Sequence, residues 1–217
     1  LGDVYKRQGL QTFREVLQNS SNPGFVEIGR RLGKKRLYQY VQNFGLTEKT
    51  GIDLPGESCG IMFDYKNFHE LEQATVAFGQ GISVTPLQLV TAICACVNGG
   101  YLLQPHILKE ISNSSNNEIV KEVKKKVKRQ VIDEETSRKV RDALESVVTD
   151  GGGRNAYIDG YRIGGKTGTA QKAVNGSYVG GGYILSFVGI APIDNPQIVL
   201  YIAMDNPKNC IQYGGTT

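Results

Sequence analysis

The 217 residues include 25 Lys and Arg against 21 Asp and Glu, a net charge of +4, and 40% are hydrophobic and 21% charged. This is the composition of a globular chain long enough to bury a substantial core, and it excludes a disordered or a membrane-embedded one. The charge is too mild to point to nucleic acid. Neither a metal nor a cofactor is expected, because Cys59, Cys94, Cys96 and Cys210 form no C-x-x-C pair and His69 and His106 stand apart.

In chain order, residues 1–8, LGDVYKRQ, resemble translated sequencing-adapter read-through and are expected to be a non-native leader, leaving residues 9–217 as the domain. Phe25, Ile28 and Leu32, then Leu37, Tyr40, Val41 and Phe44, repeat at helical spacing and predict two helices, broken near Gly33 and stopped at Gly45. TGIDLPGESC, from Thr50, is rich in turn formers and reads as a surface loop. Thr85 and Pro86 form an N-cap and first-turn pair. The apolar residues that follow, Leu87 to Val97, surround most of a helix, so this helix is expected to be buried; Asn98, Gly99 and Gly100 end it. Its apolar run is too short to cross a bilayer. Cys94 and Cys96 lie on different sides of it, as core thiols rather than a disulfide.

Tyr101 to Ile111 and Glu118 to Val131 read as extended. The second contains the only dense basic run, Lys121 to Arg129, expected on the solvated face of a strand or hairpin edge. Asp133 opens a helix with Val140, Ala143, Leu144, Val147 and Val148 on one face, broken by Gly151 to Gly153. Three extended runs close the chain: Tyr161 to Gln171, Ile184 to Ile190 and Ile198 to Met204, with turns at Asn175-Gly176 and Asp194-Asn195-Pro196. Helices first and a short-turned meander last predict an α/β (α+β) domain whose antiparallel sheet is flanked by helices.

Two motifs overlap on one segment. Gly160 to Thr167, GYRIGGKT, fits the phosphate loop G-x-x-x-x-G-K-[ST], and the apolar run ending at Asp205 could supply its metal-binding acid. That loop works only when a helix follows the Lys-Thr, so that its amides meet the phosphate. Here Gly168 follows at once, Asn175-Gly176 comes before three helical turns, and Thr167 to Lys172 has no apolar helical face. Nucleotide binding is a remote alternative.

The other motif is Lys166-Thr167-Gly168, a K-T-G, which accompanies S-x-x-K and S-D-N in serine β-lactamases and penicillin-binding proteins. Such chemistry needs a nucleophilic serine, an amine to take its proton and a cation to steer a carboxylate. Ser20-Ser21-Asn22 fits the S-x-N form of the second motif, although a helix N-cap cluster would account for it as well.

Beyond these, TFREVLQNSSNPGFVEIGRRLG, TGIDLPGE, FGQGISVTPLQLVTA, GGKTGTAQ and SFVGIAPIDNPQIVLYIAMDNP together resemble the transpeptidase domain of class B penicillin-binding proteins, from about Gly9 to the end. The flavour is that of the sporulation-type branch, with division and elongation transpeptidases as near alternatives. The resemblance implies a membrane-anchored serine D,D-transpeptidase on the extracytoplasmic face. Its partners would be the D-Ala-D-Ala ends of peptidoglycan stem peptides, β-lactams, and wall-assembly, sporulation or division proteins. It implies that Ser20 relays protons and that Asn22 bonds the substrate amide and the catalytic lysine. Lys166 would supply positive potential. Thr167 and Thr169 would bind the substrate carboxylate beside the small Gly168, and the Thr169 N–H would form half of an oxyanion hole.

The chain departs from the pattern in one respect: no serine has a lysine three residues on. Thr136-Ser137-Arg138-Lys139 is T-x-x-K, but it opens a polar helix and reads as a solvated face. The nucleophile is therefore expected outside the chain, which would be truncated at both ends, with a final helix expected after Gly214-Gly215, and inactive alone. A non-catalytic scaffold of wall assembly and a β-lactam-hydrolysing or β-lactam-sensing relative remain as alternatives.

Overall fold

A computed structural model describes residues 9–172, 182–209 and 213–215. The expected leader at 1–8 and the turn at Asn175-Gly176 lie outside the described residues.

The first helices follow their caps. Thr12 and Glu15 form a reciprocal capping box that starts α1 (Phe13–Asn19). Ser21 caps α2 (Asn22–Leu32), with Pro23 in the first turn. Gly33, at φ +84°, breaks the chain into α3 (Lys34–Asn43), as the spacing predicts. After the TGIDLPGESC loop come α4 (Glu70–Ala77) and α5 (Pro86–Val97), the latter opened by a Thr85–Gln88 capping box.

The two extended runs fold into two short antiparallel ladders. β1 (Tyr101–Gln104) pairs with β4 (Lys126–Gln130), and β2 (Glu110–Ser112) pairs with β3 (Ile119–Glu122). A bulge interrupts each, between Leu102 and Leu103 and between Ile111 and Ser112. The basic run is solvated as expected, apart from Lys128 and Arg129, which reach Glu48 at 3.0 and 2.6 Å.

Asp133 caps α6 (Glu134–Thr149), whose Ala143, Leu144, Val147 and Val148 are buried. Thr136 and Lys139 are exposed, as the polar-face reading of T-x-x-K requires. Ser137 between them is fully buried on the opposite side, where its Oγ donates to Cys96 O and accepts from Gly99 N–H. The closing meander is β5 (Gly164–Gln171), β6 (Tyr183–Ala191) and β7 (Ile198–Asp205), antiparallel in the order β5-β6-β7. α6 packs on β5, α1 on α6, and α5 between α6, β1 and β7.

Two cores result. Val97, Leu144, Ile190 and Ile193 join α5 and α6 to the sheet. Val41, Phe68 and Val76 form a second core among the other helices. α5 is less enclosed than expected: Gln88, Ala92, Ala95 and Val97 are buried, but Leu87, Leu89, Val90 and Ile93 are half-buried. The described neighbours cover one side of it. Buried Gln88 is satisfied by donating to the Leu46 and Glu48 carbonyls and accepting from the Gly60 and Thr85 N–H groups, which ties this helix to the surface loop. Cys94 and Cys96 are free thiols, and burial pushes Cys96 up to about 12. No helix among the described residues is long and apolar enough to cross a membrane.

Candidate active site

The S-x-N tripeptide is the joint between α1 and α2. Ser21 N–H donates to Val16 O at 3.0 Å and Ser20 N–H to Leu17 O at 3.2 Å, the two bonds of a Schellman stop. Ser20 occupies the left-handed position of that stop, at φ 52° and ψ 46°, where glycine is the usual residue. Ser21, nearly inaccessible, caps the next helix through Gly24 N–H. The helix-cap reading of the tripeptide applies to Ser21, and the half-buried Ser20 takes no part in that cap.

What Ser20 meets is Lys166. The Lys166 Nζ donates to Ser20 Oγ at 2.7 Å and to Thr167 O at 3.0 Å. Lys166 lies in β5, a strand paired only with β6 among the described residues, and Thr167 begins no helix. The phosphate-loop alternative falls here, because the segment after Lys-Thr is extended and offers no helix N-terminus.

The register fixes what the open edge of β5 presents. Lys172 N–H donates to Gly182 O, so in this antiparallel pair the even-numbered residues of β5 bond to β6. Thr167 and Thr169 therefore turn their N–H and C=O groups away from β6, and the Thr167 carbonyl is the one Lys166 reaches. Side chains alternate, so Lys166 and Gly168 share one face and Thr167 and Thr169 the other. A Cβ on Gly168 would lie 2.5 Å from Ser186 Oγ, so a side chain there would force the Ser186 hydroxyl to turn away.

Asn22 is the first residue of α2 and is exposed; among the described residues no hydrogen bond links it to β5. The structure thus brings Ser20, Lys166 and the Thr167-Gly168-Thr169 edge together and leaves Asn22 one step away.

Three contributors escaped the sequence reading. Gln18 O accepts from Gly152 N–H at 3.0 Å and Gln18 Nε2 donates to Ser146 O, which locks α1 and its Ser20 end to α6. Gly152 lies beside Thr167, so the Gly151 to Gly153 run is a wall of the site as well as a helix stop. Gly214 N–H donates to Thr169 Oγ1 at 3.0 Å, and Asn155 Nδ2 donates to Gly215 O, setting residues 213–215 against the strand edge. Runs of glycine signal turns in a sequence but do not say what they adjoin.

A family model described as the penicillin binding protein transpeptidase domain matches residues 2–217. Stage V sporulation protein D of Bacillus subtilis is 56% identical over 208 residues, covering 96% of this chain and 32% of that protein. A probable peptidoglycan D,D-transpeptidase, PenA, of Neisseria meningitidis is 33% identical, covering 93% of the chain and 33% of its own length. Among solved structures, penicillin-binding protein 3 of Mycobacterium tuberculosis, complexed with ampicillin, has a TM-score of 0.84 at 34% identity, covering 90% of this chain and 45% of that one. The apo transpeptidase domain of Burkholderia pseudomallei penicillin-binding protein 3 has a TM-score of 0.81 at 35% identity, over 95% of this chain and 60% of that one. The chain spans about a third of the length of these curated relatives.

Proposed function

The chain belongs to the penicillin-binding protein transpeptidase domain family, and from that premise we propose that it supplies the substrate-positioning half of a serine D,D-transpeptidase that cross-links peptidoglycan stem peptides and is acylated by β-lactams. The observation that carries this reading is the bond from Lys166 Nζ to Ser20 Oγ beside the open edge of β5. A transpeptidase must hold an extended peptide ending in D-Ala-D-Ala, neutralise its carboxylate, and stabilise the oxyanion formed when a serine attacks the penultimate carbonyl.

Each demand has a candidate here. The outward N–H and C=O groups of Thr167 and Thr169 offer a strand edge to an extended substrate. The Lys166 ammonium gives positive potential at that edge, and the Thr167 and Thr169 hydroxyls are donors for the carboxylate. The outward N–H of Thr169 is one oxyanion donor. Ser20 Oγ accepts from Lys166, which leaves its own hydroxyl proton directed elsewhere, as a relay to a leaving amine requires. Asn22, the first residue of α2, would bond the substrate amide. Gly168 and Gly152 keep the approach clear of side chains.

The nucleophile belongs to an S-x-x-K, and no such motif occurs in these 217 residues. In the proposed enzyme it would come from a segment joined to this chain, and the site would face outward from the cytoplasmic membrane. The similarity to stage V sporulation protein D favours a sporulation role over division or elongation. The β-lactam reading draws support from related structures complexed with ampicillin and aztreonam.

Incubation with a fluorescent penicillin followed by denaturing electrophoresis tests the proposal. The protein in which this chain is joined to an S-x-x-K segment should take up one label, and the 217-residue chain alone none. Stoichiometric label on the chain alone would show that the nucleophile lies within it. An unlabelled longer protein with an intact S-x-x-K would favour the scaffold role.

A further inference from the structure

The β2–β3 hairpin is an arm with no core of its own. Every residue of both strands is exposed, with Ile111 at 45%, Ile119 at 56% and the bulge residue Val120 at 70%. A two-stranded hairpin is marginal in water even when one face is covered. The root of this one is fixed, since the Asp53 carboxylate accepts from the Ile107 and Leu108 N–H groups at 2.8 and 2.9 Å. The tip is closed by Asn113 N–H donating to Glu118 O.

Charge is unevenly placed in and beside the arm. Residues 109–129, which run from the arm through β4, hold seven Lys or Arg and three Glu, a net +4, while the arm itself holds Lys109 and Lys121 against Glu110, Glu118 and Glu122. The register then sorts the signs. Ile111 lies opposite Lys121, and Lys109 opposite Val123, whose N–H donates to Lys109 O, so these four share one face. Glu110 lies opposite Glu122 on the other face, a like-charge pair that opposes the hairpin's own stability. One face is cationic and apolar with no acid; the reverse holds two carboxylates. Lys109 and Lys121 form no ion pair among the described residues, and Lys124 to Lys126 add charge where the arm joins β4.

We propose that this hairpin lays its Lys109–Ile111–Lys121 face on a membrane surface of anionic lipid headgroups. Lysines satisfy the headgroup charge, and isoleucine enters the boundary between headgroups and acyl chains. A soluble polyanion would use the lysines but has no place for Ile111, which is why the lipid surface is the occupant the face fits. The carboxylates then lie on the side turned away. The proposal rests on the transpeptidase reading only for its location beside a membrane.

Co-sedimentation of the chain with phosphatidylcholine vesicles, with and without phosphatidylglycerol, tests this. Binding should require phosphatidylglycerol and weaken with salt. Lys109→Gln and Lys121→Gln should each reduce it about fivefold. Ile111→Ser should reduce it without changing the salt dependence. Lys35→Gln/Lys66→Gln, away from the arm and with the same net charge as Lys109→Gln/Lys121→Gln, should leave it unchanged. Thermal unfolding should show every variant folded like the wild type. No preference for anionic vesicles, or an equal loss in the Lys35/Lys66 control, would overturn the proposal. So would binding to inorganic polyphosphate as strong as to vesicles and indifferent to Ile111→Ser. Penicillin labelling is read separately, so failure of either reading leaves the other standing.

Discussion

Lys166 Nζ and Ser20 Oγ lie 2.7 Å apart although 146 residues separate them in the chain. One sits at the open edge of a sheet, the other in the left-handed stop of a helix, and the Gln18–Gly152 bond ties that helix to the end of α6, which packs on β5. In the longer protein carrying S-x-x-K, Lys166→Ala should lower the rate of penicillin acylation on the order of a hundredfold, the scale of losing one electrostatic contact to the transition state. Ser20→Ala should also slow it. If the pair works as a unit, the double variant should be scarcely slower than the worse single one. Losses that multiply would mean that the two residues act independently.

The backbone of Ser20 makes a second expectation. A left-handed residue other than glycine costs about 1 kcal/mol. Ser20→Gly and Ser20→Ala both remove the hydroxyl and the Lys166 bond, so the difference between them isolates the backbone. In urea unfolding of the chain the glycine variant should be more stable than the alanine variant by about 1 kcal/mol. Equal stabilities would mean that the joint relaxes out of this conformation.

The approach of α2 to α4 supplies a third. A Cβ on Gly29 would lie 2.6 Å from the Cβ of Ala77, a rigid atom that cannot swing away. Alanine gains about 1 kcal/mol in helix propensity over glycine, but overpacking at such a contact costs about 1–3 kcal/mol. Gly29→Ala should therefore destabilise the chain, against its propensity. Adding Ala77→Gly should recover part of the loss in a double-mutant cycle of unfolding free energies. A stabilising Gly29→Ala would show that the helices separate freely.

A fourth concerns pH. Arg162 Nε and a terminal guanidinium nitrogen donate to the two Glu145 oxygens at 2.8 and 2.7 Å, fixing the segment before β5 to α6. These bonds hold the Glu145 carboxyl below its ordinary value, while partial burial pulls the other way. A depressed folded pKa means that the unfolded chain binds the proton first. The stabilisation is thus complete above the unfolded pKa of about 4.3 and is lost as pH falls through the lower folded value. Since Arg162 is largely solvated, the effect is modest. Glu145→Gln should lower stability at neutral pH and flatten its acid limb below about pH 5. An unchanged acid limb would assign the slope to other carboxylates.

The sequence by itself determined the elements and the family. Helix stops at Gly33 and Gly99, the Thr85-Pro86 start, the buried face of α6 and the three closing strands are all local matters of capping, periodicity and turn chemistry, which a few neighbouring residues decide. The candidate site was legible to the same depth: K-T-G and S-x-N could be read as motifs, and strand against phosphate loop could be argued from the missing helix. Only the tertiary structure decided that Ser20 Oγ lies within hydrogen-bond reach of Lys166 Nζ, that Asn22 stands a step outside, and that Gly152 and Gly214 wall the strand edge. It also paired the two extended runs as two separate ladders and segregated charge on the β2–β3 arm. These depend on register and on contacts between residues far apart in sequence. A one-residue change of register exchanges the faces of a strand, and no local propensity records which register the whole fold selects.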